Sequence, residues 1–92
     1  MTTPGSITVG TSWTRLIDLT GIYTRRMTIS RESLQTLELV YVLDGSTPPE
    51  SAQAEFRVTA SFLAIDTTKI PTGGQIWARF ETEEAEVEVN YV

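Results

Sequence analysis

Five glutamates within eight positions, Glu81, Glu83, Glu84, Glu86 and Glu88, form the densest set of side chains in this 92-residue chain that could do chemistry. Closely spaced carboxylates offer two kinds of site. Several oxygens converging on one point hold calcium, and two carboxylates facing each other across a sugar hydrolyse a glycosidic bond. Neither geometry follows from an extended strand. Glu86 and Glu88 share a face there but project from it in parallel, and no Asp-rich loop of the EF-hand type accompanies them. The simpler reading is a solvated face that also discourages edge-to-edge aggregation. No catalytic residue, metal ligand or cofactor is assigned, and the chain is read as a non-enzyme.

Composition narrows the chemistry further. The chain has no His and no Cys, which removes Ser-His-Asp and Cys-His nucleophiles, disulfides and the common zinc sites. The five glutamates also carry the whole charge imbalance. The other seven acids are matched by seven Lys and Arg in residues 1–80, leaving a net charge of −5. A pI near 4.5 disfavours nucleic acid, which demands a basic footprint, and anionic membrane surfaces. The longest apolar run, 39–43, is too short to span a bilayer, and residues 1–5 lack the charged and apolar regions of a signal peptide.

Two further groups are candidate contacts. Trp77 is predicted to lie opposite the core-facing residues of its strand. There it would meet a partner or, together with Tyr23, stack against a sugar ring. Arg25, Arg26 and Arg31 bring three of the seven basic residues into seven positions. They are candidates for docking on an acidic partner surface, because arginine forks bind carboxylates bidentately. Pro48 and Pro49 form a rigid loop that is a third candidate contact.

The elements that must position these residues are strands. Fifteen threonines and end-to-end alternation of apolar and polar residues favour β structure. Strands are predicted over 6–9, 13–19, 22–30, 37–43, 55–63, 75–81 and 85–91, with a polar loop at 30–35. Asp44-Gly45-Ser46 turns the chain, and Pro48-Pro49 excludes an immediate return strand. Seven short strands imply an all-β antiparallel sandwich or jelly roll over 11–92, preceded by an N-terminal arm over 1–10 with a short strand. A domain of this size buries only about 60–65% of its unfolded surface, which favours association with copies or partners.

The last two strands are predicted to form a hairpin. Matching their apolar faces opposes Ile76, Ala78 and Phe80 to Val89, Val87 and Ala85. The other face then pairs Trp77 with Glu88 and Arg79 with Glu86.

The order of these pieces is familiar. Ile7-Thr8-Val9-Gly10 is followed by Trp13 and then by an Arg-containing strand ending Met27-Thr28-Ile29. Next come the apolar strand 37–43 and a Pro loop, and finally Gly74-Gln75-Ile76-Trp77-Ala78-Arg79 with Ala85-Glu86-Val87-Glu88-Val89. The chain resembles the small all-β virion proteins of tailed bacteriophages, which include capsid decoration and head- or tail-associated proteins. That resemblance spans nearly the whole chain and implies a structural role with no catalytic residues. A capsid decoration protein binds the lattice of the major capsid protein or another virion protein, as a trimer or other homo-oligomer. It is made in the host cytoplasm and ends in the virion. The alternative expectation is a carbohydrate-binding or adhesion module on a tail or fibre, built on Trp77 and Tyr23.

Overall fold

The computed structural model describes residues 5–18, 26–43, 45–66 and 74–91. They form eight strands: β1 (Gly5–Val9), β2 (Thr14–Asp18), β3 (Arg26–Arg31), β4 (Leu37–Val42), β5 (Phe56–Val58), β6 (Phe62–Asp66), β7 (Gln75–Phe80) and β8 (Ala85–Tyr91). Two four-stranded antiparallel sheets result, in the orders β1-β8-β3-β6 and β2-β7-β4-β5. Packed face to face, they make the β-sandwich expected from the alternation.

The topology is simple once the β4–β5 connection is taken as the centre. On either side of it β4 pairs with β5, β3 with β6, β2 with β7 and β1 with β8, all antiparallel. The second half of the chain thus lies back along the first, and the paired strands are shared alternately between the two sheets. Only β4 and β5 are consecutive neighbours within one sheet.

This topology overturns the terminal hairpin. β7 lies in one sheet between β2 and β4, and β8 in the other between β1 and β3. Their apolar faces are the ones the alternation implies. Ile76, Ala78, Phe80, Val87 and Val89 all belong to one buried cluster with Val9, Leu16, Ile17, Ile29, Leu37 and Leu39. They meet across the sandwich, however, where facing sheets stand about 10 Å apart, and not along a shared ladder. Trp77 is therefore opposite Val40 and Arg15, and Arg79 opposite Glu38.

Two strands depart from simple alternation for local reasons. A register shift between Arg15 and Ile17 puts a bulge in β2, so the consecutive residues Leu16 and Ile17 are both buried. The strand predicted over 55–63 divides at 59–61, where the chain leaves one sheet as β5 and enters the other as β6. Alternation predicts Phe56, Val58, Ala60 and Phe62 on the inner face, but only Val58 packs against the core. Phe56 is 65% exposed and Phe62 57% exposed, and Ala60 is also on the surface.

One glycine is demanded by packing. A Cβ on Gly74 would overlap the ring of Tyr41, the residue opposite Ile76 in the neighbouring strand. Gly74→Ala is expected to cost about 1–3 kcal/mol, the usual range for overpacking. Urea unfolding of the single variants and of Gly74→Ala/Tyr41→Leu checks this. The double variant should be more stable than the sum of the two single losses allows, whereas strict additivity would place the strain elsewhere.

Candidate functional site

The described groups among those singled out from the sequence occupy three regions. The first is the end of the sandwich where β3 passes to β4. Arg31 ends β3 and is buried. Its Nε donates to Ala60 O at 3.1 Å, and one terminal nitrogen donates to Val58 O at 2.7 Å and Ala60 O at 3.0 Å. The other donates to Ser33 O at 3.0 Å and to Gln35 O. The guanidinium also lies over the Phe80 ring, 5.6 Å from its centre. One side chain thus joins the β3–β4 loop to the β5–β6 crossing. Burial lowers its pKa from the usual arginine value, but a guanidinium so hydrogen-bonded stays charged. Its donors are directed inward, so Arg31 serves the fold and offers no free fork to a partner.

Gln35 extends the same device. Its side-chain oxygen accepts from the Thr82 and Glu83 amides, both at 2.9 Å, and its nitrogen donates to Glu83 O at 2.8 Å and Ser33 Oγ at 3.0 Å. The glutamate-bearing β7–β8 connection is anchored by this amide, while Glu81, Glu83 and Glu84 point to solvent.

The second region is the outer face of the sheet containing β4 and β7. Glu38 accepts from Arg79 Nε at 2.6 Å and from Arg57 Nε at 3.3 Å. Arg79 also donates to Glu50 O at 2.8 Å and Ala52 O at 3.3 Å, and stacks over Trp13, 4.2 Å from the ring centre. These bonds fasten the proline loop, which is further tied by Glu55 N donating to Leu39 O at 2.9 Å and by Tyr41 N donating to Glu55 Oε1 at 2.7 Å. Gly45, with φ of 78°, supplies the left-handed step at the loop's start. Pro48 is buried and Pro49 exposed. Trp77, expected at the surface, is only 9% exposed. Without displacement of its surroundings, it has no open ring face for a sugar.

The third region is the outer face of the other sheet. Here Ser6, Ser30, Glu86 and Glu88, with Arg31 and Glu32 at one end, line an open groove of about 620 Å³. Thr8 Oγ1 donates to Glu86 at 2.9 Å, and Asn90 donates to Glu88 at 3.2 Å. Among the described residues no three acidic side chains converge to hold a metal ion. Arg25 and Tyr23 lie outside the described residues, and Arg26 is described only through its backbone, opposite Asp66.

The polar clamps were the functional side chains hardest to foresee, because their acceptors are mostly backbone carbonyls of distant loops. Among the described residues, the large exposed hydrophobic side chains are Leu34, Leu43, Phe56 and Phe62. No protein-family model, curated protein or solved structure matches the chain.

Glu38 provides the test of this region. Its pKa is lowered first by the hydrogen bond from Arg79, with help from Arg57 and against the opposing effect of burial. A carboxylate with a depressed folded-state pKa stabilises the fold above its unfolded value of about 4.3, and that contribution disappears as pH falls through the folded value. In Glu38→Gln the amide nitrogen would confront a guanidinium. The expected loss at neutral pH is roughly 2–3 kcal/mol, the scale of a hydrogen bond to a charged group. Denaturant unfolding from about pH 7 down to about pH 3 should show the gap between the variant and the native chain closing at the acid end. A gap independent of pH would contradict the assignment.

Proposed function

We propose that this protein is a structural component of a tailed-bacteriophage virion, a capsid decoration protein that binds the major capsid lattice as a homo-oligomer. The observation that carries the reading is the strand order. Two four-stranded sheets ordered β1-β8-β3-β6 and β2-β7-β4-β5 are what a long hairpin makes when it is rolled up. This supports a jelly-roll reading of the sandwich, and jelly rolls recur in viral shells and lectins. Fold alone does not assign function. The second support is the sequence resemblance to small all-β phage virion proteins, which runs from Ile7-Thr8-Val9-Gly10 to Ala85-Glu86-Val87-Glu88-Val89.

A decoration protein gains affinity from many weak contacts repeated across a symmetric lattice. The contacts proposed here are the exposed Leu34, Leu43, Phe56 and Phe62, with Pro49 and the described arm strand β1 at the periphery. Arg31, Pro48 and Trp77 are buried and are not among these contacts. The adhesion-module reading gains nothing from the geometry, because its principal aromatic, Trp77, is buried.

Purified protein added to undecorated capsid shells of the phage that encodes it should bind saturably, at a fixed copy number per shell, and raise the temperature at which the shells come apart. Absence of shell binding, with glycan binding in its place, would overturn the reading.

A further inference from the structure

Each sheet has two edge strands, and three of the four are guarded. β2 is bent by its bulge and carries Arg15 and Asp18, devices that blunt an edge. β5 has three residues with the exposed Arg57 in the middle. β1 is uncharged, but it runs beside the glutamate strand β8, and its Thr8 bonds Glu86. Among the described residues β6 has no such protection. Its sequence, Phe62-Leu63-Ala64-Ile65-Asp66, holds one charge, at its last position. Its inner neighbour is β3, and no described residue pairs with its free edge. An apolar, unguarded edge of five residues is a template for another strand.

We propose that β6 pairs antiparallel with β6 of a second copy, joining two β1-β8-β3-β6 sheets into one continuous eight-stranded sheet. The strand is complementary to itself. With Ala64 on the two-fold axis, position 62 is in register with 66 of the second copy and position 63 with its 65. The two Asp66 residues then sit at opposite ends, about 14 Å apart at about 3.4 Å per residue. Ala64, small and exposed, lets the two backbones approach, and its position is diagonal to Phe62 across the junction, within reach of an aromatic ring. Phe56 lies on the same lateral side, because β5 and β6 each end a sheet and are joined by residues 59–61.

Charge favours this edge over β1. Each copy has a net charge of −5 with five glutamates in 81–88. Pairing through β6 leaves the two β8 strands five strand spacings apart, about 24 Å, well beyond a Debye length of about 8–10 Å. Pairing through β1 would leave only three spacings, about 14 Å. The interface deepens the decoration reading and rests on it for its purpose, but it can be measured without a capsid.

Light scattering of the native chain should give twice the 10.2 kDa chain mass. Ala64→Lys places two ammonium groups face to face on the axis and should run as a monomer with an unchanged circular dichroism spectrum. Ala64→Glu should do the same. An equimolar mixture of the two should recover the dimer, which a merely misfolded variant could not. A monomeric or trimeric native chain, a dimeric Ala64→Lys, or a mixture that stays monomeric would overturn the interface. A native dimer that fails to bind shells would leave the interface standing and remove the decoration role. A native monomer that binds shells would do the reverse.

Discussion

The buried guanidinium of Arg31 is the constraint on which the rest of this sandwich depends. Burying a cation is costly unless its donors are met, and here they are met by carbonyls of Ser33, Gln35, Val58 and Ala60. Those of Ser33, Gln35 and Ala60 lie in the two passages of the chain between the sheets, and that of Val58 ends β5. Loop carbonyls have no ladder partner, and one planar fork satisfies three of them together with the last carbonyl of β5. Lysine, with three donors radiating from a single point, could not match that geometry. The Phe80 ring beneath the guanidinium ties this polar joint to the apolar core. Gln35 then carries the fastening onward to the β7–β8 connection.

A second joint acts on the opposite side of the β4–β7 pair. Glu38 bridges Arg57 and Arg79, and Arg79 extends from that bridge to the carbonyls of the proline loop and to Trp13. The loop thereby becomes part of the fold's packing. Trp13 and Trp77 are buried without belonging to the cluster between the sheets. A small β domain has a limited core, and a covered outer face adds to it. Among the described residues the surface left over includes a hydroxyl- and glutamate-lined face on one sheet and exposed phenylalanines along the edge where β5 hands over to β6.

Alternation along the chain revealed which face of each strand is buried, and little about which strand lies beside it. Leu37 and Leu39, Ile76, Ala78 and Phe80, and Val87 and Val89 are all inside as their spacing implies. The same pattern fits a hairpin and a pair of strands facing each other across two sheets, so alternation alone predicts β7 beside β8 although they lie in different layers. Arg79 illustrates the consequence. Its acidic partner is Glu38, 41 positions away, where a hairpin would have supplied Glu86. The bulge that buries both Leu16 and Ile17 breaks period two outright. Trp77 was legible as an outward-facing residue, but its burial was not, because alternation shows which way a strand residue points and not what packs over it.

The joint at Arg31 can be observed directly by nitrogen-15 NMR of the arginine side chains. A guanidinium pinned by carbonyls from two loops should give separate, slowly exchanging Nη protons at neutral pH, with hydrogen-bond couplings to the carbonyl carbons of Val58 and Ala60. Exposed Arg15 and Arg57 should give averaged, rapidly exchanging signals. An Arg31 side chain as averaged as those two would contradict the account.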